Sequence, residues 1–160
     1  KRDEFKTMRW PNGQGVAHEV FHEVKDGRTV LRVSLAEVIG DCVFSAFDGL
    51  KRCTTVVSGA GMDLAHAEGE ILLRPLEPVT WDGGLALTGA LVDGPVENFN
   101  VVWDPARMDV SVVVCGIEEV RAGDLVFVLS GEVTGVGRHG VVWVEGDLSG
   151  EARVVLVRFG

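Results

Sequence analysis

Val16-Ala17-His18-Glu19-Val20-Phe21-His22-Glu23-Val24 is the stretch on which the reading of this chain turns, because it fits two folds with opposite chemistry. As a helix, it sets Val16, Val20, Phe21 and Val24 at helical spacing, with Asn12 a candidate cap and Gly27 a candidate stop. That helix would carry His18-Glu19-x-x-His22, the zinc-hydrolase pattern, with both imidazoles on one face and Glu19 as base for a metal-bound water. As a strand, it puts Val16, His18, Val20, His22 and Val24 on one face and Ala17, Glu19, Phe21 and Glu23 on the other. The surroundings favour the strand. A zinc site needs a third protein ligand, and His66, His139, Glu68 and Glu70 all sit in glycine-flanked β-patterned segments.

Outward from this stretch the pattern is β throughout. Thr29–Val38, Arg52–Val57, Leu85–Val92, Met108–Cys115, Asp124–Leu129, Val141–Glu145 and Ala152–Phe159 are short, β-branched and bounded by Gly, Asp, Asn or Pro. About a dozen such segments predict an all-β sandwich or barrel. A short helical turn near 117–120 is the other local exception. The 21 glycines punctuate the chain instead of pooling in a linker, so 160 residues read as one domain, 1–160, or two small fused halves.

Composition narrows the function classes. With 46% apolar and 24% charged residues the chain is an ordinary globule. A net charge of -9 argues against nucleic acid and against anionic membranes as partners. Cys42, Cys53 and Cys115 are sparse, odd in number and lack CxxC spacing, which fits reduced thiols and a cytoplasmic location. No apolar run reaches the length of a membrane span, and no signal core follows Lys1-Arg2-Asp3-Glu4. Gly59-Ala60-Gly61 is not a dinucleotide loop, since no helix pattern follows, and Ser34 and Ser45 lack the elbow of a serine hydrolase.

Three blocks carry more specific information: Trp10-Pro11-Asn12-Gly13-Gln14-Gly15 leading to Glu19, then Arg32-Val33-Ser34-Leu35-Ala36, then Asp41 with Phe44-Ser45-Ala46-Phe47-Asp48-Gly49-Leu50-Lys51-Arg52. A Gly59-Ala60-Gly61 turn and Asn98-Phe99-Asn100 follow in order. In this order and spacing the blocks resemble the HutD/Ves family of bacterial cupin-like proteins, over about residues 8–130. Asp48, Lys51 and Asn98 depart from the family pattern, and the family strand that ends in Glu19 carries no histidine pair. The resemblance implies a cupin-like β-barrel or sandwich, with two cupin-like halves in tandem (a bicupin) as one form of it. It also implies a link to histidine utilisation, with a regulatory role.

Period-2 alternation along Thr29–Val38 puts Arg32, Ser34 and Ala36 on one face and Leu31, Val33 and Leu35 on the other. If the leucine-valine face packs between sheets, Arg32, Ser34 and Ala36 look into a barrel mouth or a cleft, where an inward guanidinium needs an anion or a carboxylate. Arg52 and Glu19 are further charged candidates. Trp10 and Phe44 supply an apolar wall, and Asn12, Ser45 and Asn100 supply orienting hydrogen bonds, the usual make-up of a small-molecule pocket. A plainer reading stands beside it: Asn12-Gly13 as a turn, Arg32 paired with Glu19 or Glu37, and the phenylalanines as core.

The chain lacks His-x-His, so neither the metal set of the oxygenase cupins nor any cofactor is expected. The expected ligand is a small anionic metabolite, of the kind of urocanate or formylglutamate, met bidentately by arginine. Two alternatives stay open: an isomerase or hydrolase using the same pocket with Glu19 as base, and a purely structural β-protein acting through a sheet edge. The chain alone leaves its assembly open, with a homodimer as one alternative.

Overall fold

β-Branched runs bounded by turn residues form strands along the chain, and the computed structural model, which describes residues 6–9 and 13–160, contains no α-helix among them. The stretch 16–24 is extended, which corrects the helical alternative. It lies in β2 (Gly15–Lys25), antiparallel to β3 (Arg28–Val38) across the two-residue turn Asp26-Gly27. Both turn residues have positive φ, 54° and 73°, the signature of a type I′ turn whose twist matches its flanking strands. Gly27 therefore closes a hairpin instead of ending a helix. The other exception is a single 3-10 turn, Ile117–Glu119.

The chain divides into two compact units, one ending at Arg107 and the other beginning at Met108. In the first unit a six-stranded sheet joins β2 and β3 to β1 (Lys6–Arg9), β5 (Lys51–Ser58), β8 (Val79–Asp82) and β10 (Val96–Trp103), in the order β1-β2-β3-β10-β5-β8. A second sheet contains β4 (Cys42–Phe44), β6 (Met62–His66), β7 (Gly69–Leu73) and β9 (Leu87–Leu91), in the order β4-β9-β6-β7. Val38, Val56, Trp81 and Val96 of the large sheet meet Phe44, Met62, Leu64, Leu73 and Leu87 of the small one in a single buried cluster. Each such side chain contributes roughly 1.5–3 kcal/mol by leaving water. The two layers form a sandwich with open edges, not a closed barrel.

The turn Gly59-Ala60-Gly61 carries the chain from one layer to the other. Gly61 has φ 114°, and a Cβ there would strike the carbonyl oxygen of Leu73. On β3 both faces are buried, and register puts Arg32, Ser34 and Ala36 on the face of Val38 and Val96 that meets the second layer. Leu31, Val33 and Leu35 lie on the other face, which corrects the expectation that the leucine-valine face packs between the sheets.

In the second unit β11 (Val110–Gly116), β12 (Leu125–Gly131), β13 (Val141–Trp143) and β14 (Ala152–Phe159) form one antiparallel sheet, ordered β11-β14-β12-β13. Val126, Val128, Val133, Val144, Val154 and Leu156 make its core. No helix among the described residues is long and apolar enough to cross a membrane.

Candidate functional site

One irregularity in β2 decides what its polar residues face. Glu19 pairs with Ser34 and Phe21 with Val33, so Val20 is an extra residue, a β-bulge. Before the bulge His18 stands opposite Leu35; after it His22 stands opposite Arg32. Residues 35 and 32 lie on opposite faces of β3, so the two histidines do as well. Simple alternation had placed them together, and the bulge separates them. His18 instead has Nε2 2.8 Å from Glu37 Oε2 and Nδ1 3.2 Å from Thr7 Oγ1. His22 has Nδ1 2.8 Å from Glu19 Oε1 and Nε2 2.8 Å from Thr29 Oγ1. Histidines that diverge across a sheet cannot chelate one metal ion. Among the described residues no group of three His, Cys, Asp or Glu side chains is placed to hold one. The zinc-peptidase alternative fails on this geometry.

The same register lays two rows of side chains across the large sheet. Glu19, Ser34, Asn100 and Thr54 stand side by side on β2, β3, β10 and β5. The next row is His22, Arg32, Val102, Arg52 and Trp81, ending on β8. Over these rows lies a cavity of about 150 Å³, lined by Arg32, Ser34, Arg52, Asn100 and Val102 of the large sheet, by Val43 and Phe44 of β4 in the opposite layer, and by Ser45 and Phe47 in the connection from β4 to β5. Met8, Ala17 and Ala36 complete the wall.

Arg52 dominates the electrostatics. The residue is only 8% exposed, and its guanidinium carbon lies 4.9 Å from the Phe44 ring centre, 5.5 Å from Trp81 and 5.7 Å from Phe47. Such cation–π contacts supply part of what water would have given. The hydrogen bonds are fewer than the group can make. Nη2 donates to Asn100 Oδ1 at 3.1 Å, Nη1 donates weakly to the Ser45 carbonyl at 3.5 Å, and Nε is buried without a partner. A guanidinium has five N–H donors. Thr54 Oγ1 also donates to Asn100 Oδ1, at 2.7 Å, and Asn100 Nδ2 donates to the Asn98 carbonyl at 3.3 Å, which fixes the amide with its oxygen toward Arg52.

Every acceptor of Arg52 is neutral, and among the described residues no carboxylate pairs with it. Burial, then the charge of Arg32, pushes the Arg52 pKa down to about 10, with Cys42 opposing, so the group stays cationic near neutrality. Arg32 is better satisfied, with Nε 3.4 Å from Glu19 Oε1.

Of the candidates read from sequence, Arg32, Ser34, Phe44, Ser45, Arg52 and Asn100 converge on this cavity. Glu19 does not line it; it stands beside it, holding Arg32 and His22. Trp10 and Asn12 lie outside the described residues. Thr54 and Trp81 were missed, and only strand register brings them to Asn100 and Arg52. Phe47, read as core, is a cavity wall.

Comparison with known proteins agrees with this architecture. A Pseudomonas putida protein, described as an uncharacterized 21.2 kDa protein in the hutC 3′ region, is 27% identical over 110 residues, 67% of this chain and 58% of that protein. The chain thus spans less than two thirds of that relative. Among solved structures, HutD from Pseudomonas fluorescens SBW25 is 27% identical with a TM-score of 0.79, over 99% of this chain and 95% of that one. A conserved protein of unknown function from Pseudomonas aeruginosa PAO1 is 24% identical with a TM-score of 0.83, over 99% and 96%. The fold of this chain is shared with both of these structures over nearly its whole length. The family model of HutD matches residues 2–141, a span that includes the whole cavity and both sheets around it, and the chain belongs to the HutD family.

Proposed function

We propose that this chain is a binding protein for a small anionic metabolite, held in the cavity over Arg52, and that it serves a regulatory role in or near histidine utilisation. The observation that carries this reading is a buried guanidinium whose protein acceptors are all neutral and whose donors are not all used. Taking such a charge out of water costs several kcal/mol, which a matching anion repays by bidentate hydrogen bonding. Arg32 on the far side of Val102 adds a second positive group, and the aromatic rings around Arg52 exclude water from it and strengthen its attraction for an anion. Membership of the HutD family, and a relative described by its place beside hutC, support the metabolic context.

A binding role suits the geometry better than catalysis, because Glu19, the residue read as a general base, is turned to Arg32 and His22 and does not reach the cavity wall. Calorimetric titration with urocanate and formylglutamate tests the reading. Saturable binding of either acid that is lost in Arg52→Gln and weakened in Arg32→Ala is expected; heat signals indistinguishable from dilution for both acids would discard this ligand class.

A further inference from the structure

Beside the pocket, strand register brings a titratable group to bear on its charge. His22 Nδ1 and Arg32 Nε share one acceptor, Glu19 Oε1, at 2.8 and 3.4 Å, and the imidazole holds the shorter contact. On its other side, His22 Nε2 meets Thr29 Oγ1 at 2.8 Å. A hydroxyl donates to a bare ring nitrogen and accepts from a protonated one, so both states of the imidazole fit without moving a neighbour. The ring side chain is 34% exposed, enough for protons to reach it from water. What changes on protonation is charge.

Among the described residues, Glu19 lies on the same strand as the ring and Arg32 stands opposite it on β3. Glu23 and Lys25, further along β2, pair with each other at 3.7 Å. His18 takes no part, since it lies on the opposite face with Glu37.

We propose that anion binding in the Arg52 pocket is coupled to protonation of His22, with Glu19 passing the charge from one to the other. The inference rests on the anion-binding reading above. With His22 neutral, Glu19 offsets the charge of Arg32. With His22 protonated, one carboxylate is shared between two cations, and the wall formed by Arg32 and Arg52 becomes more positive. An anion entering the pocket then binds more tightly at acid pH, and by reciprocity its presence raises the proton affinity of His22. The two guanidiniums already sense each other: after burial, the charge of Arg32 is the next cause that pushes Arg52 down.

The experiment uses the intact chain with sodium formate as probe, an anion that stays ionised over the range examined. The dissociation constant is expected to fall about fivefold between about pH 8 and about pH 5.5, the span in which imidazole titrates. His22→Gln keeps a hydrogen-bonding amide but cannot titrate, so its affinity stays flat. Glu19→Gln binds formate at pH 8 as tightly as the parent does at the acid end. In proton NMR, adding formate moves the titration midpoint of the His22 ring upward in the parent. A parent affinity that does not change with pH, or the same slope in His22→Gln, overturns the coupling and leaves anion binding standing. Absence of formate binding at both ends of the range overturns the coupling and the anion-binding reading together.

Discussion

Arg158 in the second unit and Arg52 in the first are both held on strands beside a buried side chain, yet their acceptors differ in kind. Arg158 donates Nε to Asp124 Oδ1 at 2.9 Å and Nη2 to Asp124 Oδ2 at 2.8 Å, a bidentate pair with a carboxylate only 3% exposed. A further bond runs from Nη2 to the Glu119 carbonyl at 2.9 Å, and Asp124 Oδ2 accepts the Arg121 N–H at 2.8 Å. That cluster is closed: each charge has its opposite, and nothing is left for a ligand. Arg52 has an amide, a distant carbonyl and three aromatic rings. The first arrangement locks a turn to a strand; the second leaves a cation waiting. The contrast teaches that burial of an arginine says little by itself, and that the charge of its acceptors separates a structural pair from a binding site.

The contrast breaks most visibly at Arg52. Arg52→Met should abolish anion binding, a loss of about a hundredfold or more as a charge-assisted bidentate contact disappears. Chemical denaturation of the same variant should show stability unchanged or raised, because an apolar side chain of similar reach replaces an ion whose hydrogen-bond acceptors among the described residues are neutral. A large loss of stability would show that Arg52 is structural and would erase the distinction from Arg158.

Asp124→Ala should do the reverse. Removing three hydrogen bonds and stranding Arg158 lowers stability by about 2 kcal/mol in urea, with the affinity for formate untouched.

The same carboxylate makes a prediction in pH. Burial pushes Asp124 up, but the hydrogen bonds from Arg158 and the Arg121 N–H, with the charges of both arginines, outweigh it and hold the group below the ordinary carboxylate range. A depressed folded pKa contributes stability above the unfolded value and loses it as pH falls through the folded one. The stability difference between parent and Asp124→Asn should therefore be constant above about pH 5 and shrink below about pH 4. A difference that grows on acidification would contradict the pairing.

The smallest effect is expected at Phe47, whose ring stacks over Arg52 at 5.7 Å. Phe47→Leu should weaken anion binding about threefold, the worth of one cation–π contact, with no change in fold by circular dichroism.

Much of this molecule can be read from residue order. The β-branched runs between glycines predict the strands, and alternation along 29–38 predicts that Arg32, Ser34 and Ala36 share one face of β3, though not that this is the face toward the second layer. Arg32, Ser34, Phe44, Ser45, Arg52 and Asn100 were all legible as cavity candidates and are found together. What misled was a local defect. A strict period of two puts His18 and His22 on one face, and a single extra residue at position 20 reverses the second of them. Bulges depend on how a strand meets its partner, so no one-strand pattern reveals them. The emphasis on Arg32 over Arg52 has a similar origin. Both are basic residues on strands, and only the cross-strand neighbours show that Glu19 answers one and that, among the described residues, no carboxylate answers the other.

By itself, the order of residues determined an all-β chain, its strand-and-turn rhythm and the side chains available for a polar pocket, since propensity and periodicity act over a few neighbours. The tertiary structure alone decided which arginine has no counter-ion among the described residues, that the histidines part company, and that Glu19 serves Arg32 and His22. Those outcomes depend on register between strands distant in the chain, as for Arg52 and Asn100, which are 48 residues apart. Pairing at that range is set by the packing of two whole layers.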